Sequence, residues 1–242
     1  MSSLRLALRR LLHAPGFSIV AIITLALGLG ANTAIFSLVD GVLLRPLSFP
    51  QPQQLVTVET SIPEFAQKFP AFPVNARSYD VWRSQSKLLA AITILQPNAW
   101  VLSGSGQPRR VSGVTASAGL FQTLGIAPRL GRGFLASEDA PGKNHVVVIS
   151  DAFWRAQFHA DPNVIGQSVD LDGHPNLIVG VLPASAHLPH GAELGPFFSA
   201  GAGDQAIDVV QPLGRDTSHA PPVGQFNFLA IARMKPGVSA TQ

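Results

Sequence analysis

The sequence predicts an α+β domain, mixed strands and short helices, preceded by a single N-terminal transmembrane helix. Three observations lead there. Residues 17–39 carry no charged side chain. The rest of the chain alternates between short period-two runs and short helical faces separated by proline and glycine, which is the pattern of mixed strands and helices. Only 13% of residues are charged, against about 25% in ordinary soluble domains. Roughly 200 residues follow the first helix, enough for one large or two small folded units.

Charge sets the orientation. The net charge is +3, and Arg5, Arg9 and Arg10 all precede the first acidic residue, Asp40. Setting those four aside, the chain's 17 basic and 14 acidic residues become 14 and 13 over residues 41–242. A remainder so close to neutral argues against a nucleic-acid face. Its one tight basic pair, Arg109–Arg110, has no aromatic interleaving. With three arginines before the span, the positive-inside rule puts the N-terminus in the cytoplasm and residues 41–242 outside it, at the inner membrane. The absence of cysteine excludes disulfides, thiol catalysis and cysteine-ligated metal sites.

The elements follow in chain order. Residues 1–16 read as a cytoplasmic lead-in: Leu4, Leu8, Leu11 and Leu12 share one helical face. Arg5, Arg9 and Arg10 then sit at the membrane surface on lipid phosphates, and Pro15–Gly16 ends the segment. Residues 17–39 make the span, their 23 residues giving about 34 Å of helix for a hydrocarbon core of about 30 Å. Ala26, Gly30 and Ala34 form a small-residue stripe which, with the polar Asn32 and Thr33, predicts a helix–helix contact. A signal peptide cleaved near Leu29–Gly30–Ala31 is the competing reading, opposed by the apolar run continuing through Val39.

Beyond the span, residues 40–54 read as a linker, extended over 44–54, and 55–242 as the folded part. Leu55–Glu59 alternates as a strand, and 61–76 is a proline-broken loop. Ser78 is the expected N-cap of a short helix burying Tyr79, Val81 and Trp82. Leu88–Leu102 and Arg109–Thr115 read as paired strands across a Ser/Gly turn. Ser117 is expected to cap a helix with Leu120, Phe121 and Leu124 on one face and Gly125 at its stop. His145–Ile149 reads as a central strand, followed by a helix from Ser150–Asp151 that buries Phe153, Trp154 and Phe158. Asp172–Gly173 between two apolar alternations predicts a hairpin. Residues 183–206 read as loop, Ile207–Leu213 and Phe226–Met234 as strands, and 235–239 as a turn into a helix where the chain stops, as a fragment would. Two lobes dividing near residues 125–145 are expected.

A search for chemistry returns little. No phosphate-cradling loop and no nucleophile elbow occur. His187 and His190 have a metal-compatible spacing, but in a loop and without a third ligand. Asp170-x-Asp172–Gly173 resembles the start of a calcium loop whose later ligands are missing. Glu138–Asp139 reads as a solvated turn or helix cap. No catalytic, cofactor-binding or metal-binding residue is expected.

The order of motifs carries a resemblance. The opening run through residue 56 is followed by Tyr79–Trp82, Leu120–Ile126, Pro128–Phe134, Val147–Ser150 and Phe153–Trp154. Then come Asp161–Gly166, Leu171–Gly173, Val179–Pro183 and Arg233–Val238. In this order, and over essentially the whole chain, they resemble ABC-transporter permeases with a MacB-like periplasmic core domain, the FtsX-related kind abundant in acidobacteria. The resemblance implies a first transmembrane helix, a periplasmic domain and three further helices, working in efflux or mechanotransmission. It implies a separate cytoplasmic ABC ATPase and a second permease copy or the remaining permease helices as partners, with membrane lipid and a periplasmic adaptor. This chain stops before the later helices, which points to an N-terminal fragment. Two other classes stay open: a membrane-anchored periplasmic binding or adaptor module without transport of its own, and a membrane-tethered hydrolase.

Overall fold

The computed structural model describes residues 15–39, 49–65, 67–68, 71–104, 107–189, 206–216 and 224–239. The lead-in with Arg5, Arg9 and Arg10, His190, most of the 183–206 loop and any helix after residue 239 lie outside the described residues. The chain divides into two compact units, Met1–Leu47 and Ser48–Gln242.

In the first unit, α1 (Pro15–Val39) is a continuous helix of 25 residues. The Thr24 and Thr33 hydroxyls serve the helix itself, donating to the carbonyls of Val20 and Leu29 at 2.8 and 2.7 Å. Ile19, Val20, Ile22, Leu25, Leu27, Leu29 and Phe36 are all more than half exposed. At about 100° per residue these positions take up more than half of the circumference, and Thr24, Gly28 and Asn32 share the remaining face. Among the described residues no helix is long and apolar enough to cross a membrane, and the side chains at positions 15, 17, 18, 21, 34, 35 and 37–39 are outside that description.

Among the described residues, the second unit is built on one nine-stranded mixed sheet. In chain order its elements are β1 (Leu55–Val58), α2 (Ala76–Gln85), β2 (Leu89–Ser103), β3 (Arg109–Ala116), α3 (Leu120–Leu124), β4 (Leu130–Gly131), β5 (Val146–Ile149), α4 (Asp151–Phe158), β6 (Ser168–Leu171), β7 (His174–Val181), β8 (Val209–Pro212) and β9 (Leu229–Met234). The strands lie in the order β1-β9-β2-β3-β8-β5-β7-β4, with β6 joining β2 and β7. The β3–β8 and β5–β7 pairs are parallel and the others antiparallel.

Strand alternation divides the core between the two faces of the sheet. On one face α3 lays Leu120, Phe121 and Leu124 against Leu95, Val148, Val179 and Val210. On the other, α4 brings Phe153 and Trp154 to Trp100, Val147, Ile149 and Val209. On that same face α2 places Tyr79 against Val74, Ile94, Ala230 and Ala232. Val147, Val148 and Ile149 are all 0% exposed, as a central strand covered on both faces requires.

Four local expectations need correction. Phe49 is buried with α3, and Pro52–Gln54 forms a 3₁₀ turn, so 49–54 belong to the folded unit and not to an extended link. The cap of α2 is Asn75, whose side chain accepts from the Ser78 N–H at 2.7 Å. In that register Val81 faces solvent at 44% exposure while Tyr79 is buried. Ser117 does not cap α3, whose N-cap is Gly119. The Ser117 hydroxyl instead joins Thr93 at 2.8 Å and accepts from the Ile94 N–H. Finally, no lobe boundary falls at 125–145, because β8 arrives from far along the chain to pair with β3 on one side and β5 on the other.

Candidate interaction cleft

A cleft of about 580 Å³ opens where α2, the first residues of β2, α3, the 3₁₀ turn Ala136–Asp139 and the segment after β8 converge. That volume lies in the range of ligand-binding clefts. Its walls are made of small side chains, Ala90, Ala91, Ala118, Gly119, Ala136 and Ala140, which is why the space exists at all. The polar lining comes from Arg83, Ser86, Gln122, Thr123, Asp139, Arg215 and Asp216, and aromatic surface from Tyr79 and Trp82.

Two ion pairs and one half-buried carboxyl fix the geometry. Arg215 donates to both Asp80 oxygens at 2.8 and 2.5 Å, and its guanidinium lies 5.6 Å from the centre of the Tyr79 ring. This bidentate pair ties the segment after β8 to α2, and the Asp80 hydrogen bond strengthens proton binding at Arg215. Glu138 takes two hydrogen bonds from Arg132, at 2.6 and 2.9 Å, and one from the Leu135 N–H at 2.7 Å. The Arg132 hydrogen bond is the main cause that holds its carboxyl below the usual range. Asp139 accepts from the N–H groups of Ala118 and Gly214 at 3.1 and 3.2 Å. Burial nonetheless pushes its pKa up, outweighing those amides. Of the acidic pair expected to be a solvated turn or helix cap, Glu138 does cap the 3₁₀ turn through the Leu135 N–H, while Asp139 is held by two backbone amides. On the floor, Thr123 is fully buried and its hydroxyl has no partner among the described residues.

The positions singled out from the sequence lie elsewhere. Ala26, Gly30 and Asn32 are exposed on α1, a Cβ built on Gly30 would meet nothing within 4 Å beyond the helix's own neighbouring backbone, and the Ala34 side chain is outside the description. Asp170 and Asp172 serve the β6–β7 hairpin: Asp170 accepts from Gly173 at 2.9 Å and Asp172 from the Val101 N–H at 2.7 Å. Arg109 sits 5.5 Å above the Phe153 ring and donates to Gln157. Among the described residues no cluster of histidine and carboxylate side chains is placed to hold a metal ion. The cleft residues were missed because Asp80 and Arg215 stand 135 positions apart, and no local pattern links them.

Among solved structures, the chain is similar to the periplasmic region of MacB from Actinobacillus actinomycetemcomitans, with 14% identity over 83% of each chain and a TM-score of 0.55. It is also similar to a domain of a permease protein from Porphyromonas gingivalis, with 16% identity, a TM-score of 0.51, and 79% and 77% of the two chains covered. At these identities the likeness establishes the fold. No curated protein matches the sequence. The class is an α+β periplasmic-type domain. Residues 18–242 match the family described as the MacB-like periplasmic core domain, and the chain belongs to that family.

Proposed function

We propose that this chain is the N-terminal part of a permease subunit in an ABC-type export or mechanotransmission system, coupling a separate cytoplasmic ATPase to a periplasmic domain. The observation that carries this reading is the family, whose model matches residues 18–242, together with α1, a 25-residue helix over a run that carries no charged side chain from 17 to 39. An uncharged run of that length suits a bilayer, where a charged side chain would be costly. At about 1.5 Å per residue, 25 residues cover a hydrocarbon core of about 30 Å. Residues 1–16 then form the cytoplasmic lead-in, with Arg5, Arg9 and Arg10 at the lipid surface where motion of the ATPase enters. Ala26, Gly30, Asn32 and Ala34 face a second permease copy or the remaining permease helices, and the α+β domain is what moves outside.

Topology is directly measurable, because the chain has no cysteine to confuse labelling. In cells with a permeabilised outer membrane, a membrane-impermeant maleimide should label Lys143→Cys at once and Ser3→Cys only after lysis. Equal labelling of both before lysis overturns the orientation and the coupling built on it. The cleft favours a second reading, a membrane-anchored periplasmic binding or adaptor module. That reading keeps the topology and drops the ATPase, so co-purification of an ABC ATPase with the full chain separates the two.

A further inference from the structure

We propose that Arg233 is the positioning residue that joins the chain arriving from α1 to the cleft. It binds the Phe49–Pro50 entry and the last turn of α3 into one body, so that displacement of the entry reshapes the cleft. The proposal rests on the reading above, in which motion passes from the span to the domain. From β9, the Arg233 Nε donates to the Thr123 carbonyl at 2.8 Å and its Nη1 to the Pro50 carbonyl at 3.0 Å. Those acceptors lie 110 and 183 positions away in the chain. Arg233 forms no ion pair among the described residues, and its Nη2 is buried without a partner among them. A buried donor left unpaired is costly, and the bridge between two carbonyls is what keeps the side chain in that pose. A planar guanidinium fork spans two acceptors in fixed geometry, whereas an ammonium is a compact point charge.

Both ends of the bridge are firmly seated. Phe49 is buried in the same core as Leu120, Phe121 and Leu124 of α3. Gln51 takes a left-handed conformation with φ 50°, which side chains rarely adopt, and it turns the chain into the 3₁₀ turn before β1. Pro50 lies against the end of α3: a Cβ built on Gly125, the C-cap, would sit 3.2 Å from both the Pro50 ring and the Arg233 Nη2.

The other side of α3 is a wall of the cleft, lined by Gln122 and Thr123. The Thr123 hydroxyl is buried and has no partner among the described residues, so a shift of α3 breaks no hydrogen bond there. The chain that leaves α1 at Val39 reaches the core of the second unit at Phe49. One side chain, Arg233, holds that entry and the cleft wall together.

The test uses the full chain in detergent, with spin labels on Arg83→Cys and Gln122→Cys. Both positions are exposed and line the cleft from α2 and α3, and the chain has no other cysteine. Phe49→Ala loosens the entry and should shift and broaden the distance between the labels. With Arg233→Gln, or with Arg233→Lys, which keeps the charge without the fork, the same loosening should move the labels at most about half as far. Urea midpoints are measured alongside, because an arginine with a merely structural role would lower the midpoint and leave the response intact. Phe49→Leu replaces Phe49→Ala if the latter does not fold. The proposal is overturned if loosening the entry leaves the label distance unchanged, or if the response is undiminished without Arg233. Neither outcome involves an ATPase or the membrane orientation, so this proposal and the permease reading fail separately.

Discussion

Glu138 and Asp139 are sequence neighbours whose carboxyls are driven in opposite directions. Arg132 lowers the folded pKa of Glu138. Its contribution to stability is therefore complete above the ordinary carboxylate value and lost as pH falls through the depressed folded value. Burial raises that of Asp139. Its contribution is complete below the ordinary value and lost as pH rises through the raised one. Urea midpoints measured across the acid range should show Glu138→Gln flattening the curve on the acid side of the ordinary carboxylate value, and Asp139→Asn flattening it just above. If both variants flatten the same side, the assignment fails. Gly113 is a second residue-scale test. A Cβ there would run into the Val209 carbonyl oxygen and the Trp100 ring, so Gly113→Ala should cost about 1–3 kcal/mol by overpacking, read from denaturant unfolding.

The elements show which local signals suffice. The Asp172–Gly173 hairpin was legible because both residues must take positive φ, 54° and 79°, and that chemistry is confined to two positions. The helix α4 was legible because Ser150 accepts from the Phe153 N–H at 3.1 Å, a bond made within one turn. The α2 cap was not, since Asn75 and Ser78 are both acceptable capping residues and the preceding chain decides between them. Val74, next to Asn75, is pinned to Phe228 by two backbone hydrogen bonds, which holds Asn75 in an extended conformation outside the helix. Asn75→Ala should therefore cost about 1 kcal/mol, and Ser78→Ala less than about 0.5 kcal/mol. The reverse order in thermal unfolding would restore Ser78 as the cap.

For the whole molecule, β8 is the strand that matters most. Val209 and Val210 are essentially fully buried and occupy the gap between β3 and β5. Residues 48–242 should accordingly unfold in one cooperative transition. Single-tryptophan variants keeping Trp82 or Trp154, which lie in different cores, should report the same denaturant midpoint in the full chain. Two separated midpoints would re-establish two lobes. The sequence suggested that division near 125–145 because strands on either side are locally self-consistent, and nothing local shows that a distant segment is inserted between them.

The uncharged helix, its flanking arginines, the alternating strands and the order of family motifs were determined by the sequence alone. Each rests on periodicity, turn chemistry or charge within a few neighbouring residues. Only the tertiary structure decided that β8 fuses the sheet, that Ser117 serves β2 and not α3, and that Asp80 and Arg215 close one side of a cleft. Those outcomes depend on hydrogen bonds between groups from 23 to 135 residues apart. Which distant partner satisfies a buried polar group is settled by the packing of the whole sheet, and no stretch of sequence holds that information by itself.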